Sequence, residues 1–509
     1  MTAATGARST SRLASRFAPS LSTLWVFLAV ALPVLAALLA PMPSVDLAYQ
    51  LRAGGEILDS RAIPTVDTWT LAAAGRPWTD QQWGAQVLLA VVYRLAGWTG
   101  LAVLRAALVG VTCWLLLVLA RRRAPRLGPM GATLLVLGAF AVMAIALALR
   151  PQLFAIPLFV VVLLLLADRD AHPRRLWWIP VVAALWANLH GSFPLVLVVL
   201  GISLFAEVLD RRSLAAPSTR LLGVVTLASV AATLVNPFGL GVWTYLVSLA
   251  TNPTISSRVS EWRPPTPLDP SGALFYLSVL AVVALLVVRR RRGLRLPGAA
   301  GLATLAAFGL LAAYTGRGLA WWPPAALFVI APIVADQFAL ARLTSSVRPS
   351  RLNGAVIAVM LVAGIALLPV WRPVGPAGVP LGTLSYAPQG IAAYLWSQHF
   401  PARTNRPGSS EAPKQVWAPQ VWGSWLELDP NTKVAVDSRI ELVPTDFWAQ
   451  YDEVESGGPL WNGWLENNSV EFVVTAHDTN VALEEALGAS GRWRVVYSDD
   501  DGSVWQRGG

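Results

Sequence analysis

The sequence predicts a polytopic α-helical membrane protein with about eleven transmembrane helices and a small extracytoplasmic α/β domain at its C-terminal end. Three observations predict it. Of 509 residues, 55% are hydrophobic and only 13% are charged, with mean hydropathy +0.54, a balance foreign to soluble domains. Between Leu21 and Trp371 the chain is a series of apolar stretches, most near the roughly 17–25 residues that cross a bilayer core of about 30 Å as a helix. Every second gap between them is rich in arginine: Arg8, Arg12 and Arg16; Arg121, Arg122, Arg123 and Arg126; Arg169, Arg174 and Arg175; Arg211, Arg212 and Arg220; Arg289 to Arg292 with Arg295; Arg342, Arg348 and Arg351. That alternation marks the cytosolic ends of a multi-pass chain.

Residues 1–20 form a basic, cytosolic N-terminus. The first apolar run lacks a small-x-small cleavage site and reads as a retained helix. The spans fall near 21–41, 99–120, 129–148, 151–168, 175–190, 192–209, 220–236, 273–290, 297–314, 321–341 and 354–371. An odd number places the tail outside. The expected division is a membrane domain over 21–371, with outer loops at 41–98 and 236–272, and an extracytoplasmic domain over 372–509. Within the first loop, 83–95 is amphipathic and suits the membrane interface. In the tail, 388–400 and 481–487 read as helices, and 433–440, 471–476 and 493–498 as strands. Asp499-Asp500-Asp501-Gly502 reads as a hairpin turn. The Pro/Ser/Asn-rich stretch 402–414 reads as a mobile loop. Abundant alanine and a lysine count of two (Lys414 and Lys433) point to a GC-rich bacterial genome, hence a bacterial inner membrane.

The net charge of +10 does not point to nucleic acid, because the arginines that produce it set topology and meet anionic headgroups. The lone Cys113 excludes an intrachain disulfide and a cysteine-rich metal site. His172, His190, His399 and His477 are scattered without zinc-ligand spacing. There is no Gly-rich phosphate loop, Walker motif, G-x-S-x-G elbow or H-E-x-x-H helix.

The candidate residues lie at the outer ends of spans. Asp46 follows the first span closely, with Gln50 and Arg52 after it. A helix over 45–57 puts Asp46 and Gln50 on one face. Asp80 lies further along the same loop. A carboxylate at the membrane–water boundary can act as general base on a hydroxyl; the competing reading is an ordinary solvated loop acid. Arg150, beside Gln152, and Arg258, Arg263 and Arg317 lie on the side that should carry few positive charges. Arg258 and Arg263 flank Glu261. Guanidinium forks suit a phosphate; the competing reading is interfacial snorkelling or pairing with a loop acid. Asn188 and His190 sit between two spans, as ligand contacts or as a network closing the turn at Gly191. Eight tail tryptophans, Trp417, Trp422, Trp425, Trp448, Trp461, Trp464, Trp493 and Trp505, read first as domain core and second as sugar-facing surface.

The layout resembles the GT-C superfamily of membrane glycosyltransferases. It is similar to a bacterial group whose segments look like Asp46-Leu-x-x-Gln50-Leu-Arg52-x-Gly54, Asp80-Gln-Gln-Trp83, Arg150-Pro-Gln152-Leu-Phe154, Trp186-Ala-Asn188-Leu-His190-Gly191, Asn236-Pro-Phe-Gly239, Trp422-Gly423-Ser-Trp425 and Val436-Asp437-Ser-Arg439. Gln50 stands where a His is commoner in that group. The resemblance implies a GT-C-like fold and an inverting transferase. It would take a sugar from a polyprenyl phosphate on the outer face and give it to an envelope glycan, lipid or protein. Asp46 would be the base, Asp80 a second acid, and the arginines a clamp on the leaving phosphate. GT-C enzymes differ in metal dependence, so a divalent metal stays open. The rival readings are a transporter or flippase of lipid-linked intermediates and a non-catalytic envelope assembly protein.

Overall fold

The computed structural model describes residues 18–338, 349–398 and 413–508. Arg8, Arg12, Arg16, Arg342, Arg348, His399 and nearly all of the 402–414 stretch lie outside the described residues. The chain divides into two compact units. One comprises 1–40, 102–239 and 259–368; the other comprises 41–101, 240–258 and 369–509.

The first unit is a helical bundle. Each apolar stretch of the sequence becomes a helix, including Leu21–Leu39, Pro129–Met143, Pro151–Ala167, Pro194–Arg211, Pro217–Ala232, Pro270–Arg291, Ala299–Tyr314, Trp322–Phe338 and Arg351–Ala366. Among the described residues, four helices are long and apolar enough by themselves to cross a membrane: Leu21–Leu39, Trp83–Arg123, Pro129–Leu147 and Pro270–Arg291. Five of the helices start on proline (Pro129, Pro151, Pro194, Pro217 and Pro270). There the fixed φ suits the first turn and the missing N–H has no intrahelical partner to lose. Arginines close several opposite ends, as in the last turns of Trp83–Arg123, Pro194–Arg211 and Pro270–Arg291. Cations there complement the helix dipole. The span centred on 99–120 carries one charge the apolar pattern hides. Arg105 is buried, and its guanidinium donates to the carbonyls of Ala37 and Ala40, the unpaired end of the first helix. The bundle core is aromatic where Phe159 meets Phe308 at 5.2 Å, Trp321 at 5.5 Å and Trp186 at 6.1 Å.

The second unit carries a five-stranded mixed sheet. From one edge its strands are Thr432–Val434, Lys414–Trp417, Phe472–Ala476, Gly502–Arg507 and Trp493–Ser498. The first three run parallel; the last two pair antiparallel as the hairpin expected at 499–502. Helices Gln389–Ser397, Gln420–Leu426, Thr445–Glu455, Trp461–Asn467 and Val481–Ser490 accompany it. Seven of the eight tail tryptophans are buried, and Trp461 is half-buried, so they build the domain core. The strand expected over 433–440 is shorter, ending at Val434. Beyond it the backbone leaves the sheet, which lets Asp437 and Arg439 turn inward to buried partners.

The first outer loop is part of this unit. Residues 69–72 extend the sheet edge: Val434 N–H donates to Trp69 O at 3.2 Å, Leu71 N–H to Val434 O at 2.8 Å, and Ala72 N–H to Ala435 O at 3.1 Å. Met42–Pro43 pairs in parallel with Leu384–Ser385. An edge strand paired in this way no longer offers open hydrogen-bonding groups. Helix Ser44–Ser60 carries Asp46 to Gly54, and the amphipathic segment beginning at Trp83 is helical up to a break at Gly97, φ 56°. Gly54 is where these two helices touch. A Cβ there would lie 2.1 Å from Gln86 O, so only glycine fits.

Candidate functional site

The expected residues fall into two constellations, one in each unit.

In the second unit, helix Ser44–Ser60 presents Asp46, Tyr49, Gln50 and Arg52. Asp46 is half-buried in its first turn, where a carboxylate is favoured by the helix dipole. Gln50 is buried and donates from Nε2 to Gln82 Oε1 at 3.1 Å and to the Tyr49 hydroxyl. Asp80 is 3% exposed. Its Oδ1 accepts from Gln86 Nε2 at 2.6 Å, and its Oδ2 is buried without a partner. Burial pushes its pKa up to about 7, against the lowering effects of Gln86 and Arg439. Asp80 therefore titrates near neutrality, where a general acid or base works best.

Tyr49, Glu441 and Tyr245 complete this group, and no motif in the sequence flagged any of the three. Tyr245 donates from its hydroxyl to Glu441 Oε1 at 3.1 Å. Burial raises the pKa of both. Tyr49 is raised by burial first, then by the negative charges of Asp46, Glu441 and Asp80. That ordering means Asp46, Asp80 and Glu441 all act on one phenol. The spacing of these residues, 34 positions from Asp46 to Asp80 and far more to Glu441, hides the cluster from any local pattern.

Beside it stands a buried ion cluster that clamps the first outer loop to the tail. Arg439 donates from Nε to Asp437 Oδ2 at 2.7 Å and from Nη2 to Asp67 Oδ1 at 2.6 Å. Its guanidinium lies 4.3 Å from the Trp69 ring centre and 4.4 Å from that of Trp78. Arg52 covers Trp69 at 4.6 Å and donates to Glu427 O at 2.7 Å. This places Arg52 in structural contacts. Arg258 is likewise engaged here: it pairs with Asp452 at 2.5 Å and stacks on Trp448 at 4.1 Å.

In the first unit, Arg150, Gln152, Glu261, Arg263 and Arg317 line one cavity of about 420 Å³. Glu261 takes Arg150 on one oxygen and Arg317 Nε at 3.7 Å on the other. Burial favours its neutral form, but Arg150 and Arg317 outweigh that and hold its carboxyl below the ordinary range. The pairing is built by backbone: Gly316 N–H donates to Arg263 O at 3.0 Å, and Thr315 Oγ1 to Glu261 O at 2.9 Å. Arg317 also covers Trp262 at 4.9 Å. Gln152 Nε2 reaches Arg317 O at 3.5 Å. Asn188 donates to Ala184 O at 2.8 Å and Val235 O at 2.7 Å, tying the 186–191 turn to the Asn236 turn. His190 Nδ1 pairs with Ser192 Oγ at 2.7 Å, which also accepts from Trp186 Nε1. These contacts give Asn188 and His190 local turn-closing partners.

Among the described residues no three His, Cys, Asp or Glu side chains converge as a metal cage.

No family model and no curated protein sequence matches the chain. Solved structures do. The oligosaccharyltransferase of Archaeoglobus fulgidus in its apo form matches with TM-score 0.56 and 13% identity, over 96% of this chain and 74% of that one. The same organism's oligosaccharyltransferase AglB, in complex with an inhibitory peptide and a dolichol-phosphate, matches with TM-score 0.57 and 13% identity, over 95% and 74%. ArnT from Cupriavidus metallidurans matches with TM-score 0.50 and 16% identity, over 96% and 98%. Nearly the whole chain is covered each time. The chain is thus a polytopic α-helical membrane protein with the fold of the GT-C membrane glycosyltransferases.

Proposed function

We propose that the chain is an inverting membrane glycosyltransferase that moves a sugar from a polyprenyl phosphate to an envelope glycan, lipid or protein acceptor. The observation that carries the reading is the arginine-lined cavity around Glu261, in a chain whose fold is shared with transferases, one of them solved with a dolichol-phosphate. In the reaction, the acceptor hydroxyl attacks the anomeric carbon and the carbon–oxygen bond to phosphate breaks. The bond electrons leave with the lipid phosphate, and the hydroxyl proton goes to a carboxylate. Asp46 is assigned the proton, being half-buried and next to Asp80 and Glu441 around Tyr49. Asp80 is the second acid, poised to hold or release a proton near neutral pH. Arg150, Arg317 and Arg263 are assigned the negative charge that grows on the phosphate, with Gln152 beside them; fixed cations act most strongly on charge that develops in the transition state. Gln50 holds Tyr49 and Gln82, whereas Arg52, Arg258, Asn188 and His190 are assigned to the surrounding structure through the contacts above. The proposed topology has a cytosolic N-terminus and an extracytoplasmic tail in a bacterial inner membrane.

The test is mass profiling of envelope lipids and glycans from a deletion strain complemented with the wild type, Asp46→Asn or Arg317→Met. The expected result is a sugar decoration that is lost on deletion and returns only with the wild type. Full restoration by Asp46→Asn removes Asp46 as base. An unchanged lipid and glycan profile on deletion removes the transferase reading.

A further inference from the structure

We propose that a groove in the helical unit, sharing no lining residue with the arginine-lined cavity, binds one acyl chain of an anionic phospholipid, with the lipid phosphate on Arg292. The groove has a volume of about 640 Å³ and lies among helices Pro129–Met143, Pro270–Arg291 and Trp322–Phe338. Its walls are apolar, and they include exposed Leu134 and Val288, so it opens sideways rather than being sealed. Along Pro270–Arg291 it runs from Ser278 to Arg292. At 1.5 Å per residue that is about 21 Å, the depth of one leaflet of a core about 30 Å thick plus its headgroup margin. Trp322 Nε1 donates to Ser278 Oγ at 2.8 Å and caps the apolar end.

The other end is polar. Arg292 carries an exposed guanidinium there, and Gln337 holds a buried Oε1 without a partner. Arg289, Arg290, Arg291 and Arg295 surround the same helix end. This concentration of positive charge at the mouth of a one-chain groove selects an anionic headgroup over a zwitterionic one. It also selects the leaflet, because arginine-rich ends face the cytosol. A polyprenyl phosphate of the outer leaflet would enter from the opposite end.

Gly138 offers a clean probe, since it lines the groove and a Cβ there meets nothing within 4 Å. The full-length protein in mild detergent is titrated with phosphatidylglycerol and with phosphatidylcholine of the same chains, and bound lipid is counted by native mass spectrometry. The expected result is one phosphatidylglycerol bound about five-fold more tightly, the preference that one arginine near an anionic surface confers. Arg292→Gln abolishes the preference while chain binding persists. Gly138→Phe, and the smaller Gly138→Leu should the first fail to fold, reduces binding of both lipids. Equal affinity for the two lipids in the wild type overturns the proposal. So does a preference that survives Arg292→Gln, or binding unaffected by either Gly138 variant. Displacement of the phosphatidylglycerol by an equimolar polyprenyl phosphate, with the same Arg292 dependence, reassigns the groove to the carrier lipid and equally overturns it.

Discussion

Replacing Arg439 by methionine should destabilise the sheet-bearing unit more than any other single charge removal there. Arg439 is 1% exposed, and its partners Asp67 and Asp437 are 0% and 1% exposed. Exposed ion pairs are worth about 0–1 kcal/mol, but removing one partner of a buried pair costs about 3–5 kcal/mol, because the stranded charge stays desolvated. Here two carboxylates are stranded, and two tryptophan faces lose a cation that each holds at under 4.5 Å. The upper end of that range is therefore expected, with neither contribution simply added to the other. Hydrogen exchange of the full-length protein reads the effect locally, at the amides of 69–72 and 432–434 that the cluster fastens. Arg94→Met is the internal control. Its pair with Asp59 at 2.7 Å has side chains 46% and 70% exposed, so it should cost under about 1 kcal/mol. Adding Asp67→Asn and Asp437→Asn to Arg439→Met should recover most of the loss. The reasoning fails if Arg439→Met costs no more than Arg94→Met, or if the triple variant is as unstable as the single.

Other outcomes follow from the same geometry. Asp80 has a folded pKa near 7 against an ordinary 3.8, so the native state holds a proton that the unfolded state releases. Its stabilising effect is complete below about pH 4 and is lost as pH rises through about 7. Asp80→Asn should flatten that part of the stability–pH curve, and a wild-type curve that rises from pH 5 to 7.5 more steeply than the variant's would contradict it. Gly54→Ala should destabilise by about 1–3 kcal/mol or more, since its Cβ collides with Gln86 O. Gly55→Ala, whose nearest contact is 3.7 Å away, should be neutral or stabilising by up to about 1 kcal/mol; equal thermal shifts would refute the close-approach argument. Arg317→Met should weaken binding of a lipid phosphate about ten- to hundred-fold by loss of charged hydrogen bonds, measured by titration of the purified protein, whereas Arg258→Ala should leave it unchanged. Comparable weakening by both would remove the distinction between the cavity arginines and the one paired with Asp452.

The helices were legible because a bilayer demands long apolar segments and charge-marked ends, and both are one-dimensional signals. Among the described residues, each of the eleven expected spans falls on helix. The hairpin at 499–502 and the strand at 472–476 were legible for a similar reason, since turn chemistry and alternation are local. The strand Lys414–Trp417 was not, being four residues long beside the Pro/Ser/Asn-rich stretch. Nor was helix Thr445–Glu455, whose mixed, amphipathic composition has no distinctive start beyond Pro444. Arg105 escaped notice because a charge inside an apolar run gives no clue to the carbonyls that receive it.

The candidate residues divide in the same way. That carboxylates and arginines sit near the ends of the apolar stretches is a property of the sequence alone, because charge is costly within hydrocarbon and must lie at its margin. Which of them meet is not. Arg258 and Glu261 are three positions apart, yet the first binds Asp452 while the second joins Arg150 and Arg317. Asp67 and Arg439 are 372 positions apart, yet Asp67 Oδ1 accepts from Arg439 Nη2. Sequence determined the helices and the supply of ionisable groups, both of which follow from local hydropathy and charge. Tertiary structure alone decided that Asp80 is sealed from water, that Glu441 and Tyr245 stand beside it, and that three guanidiniums line one cavity, because burial and electrostatic coupling depend on distances in space that chain order does not encode.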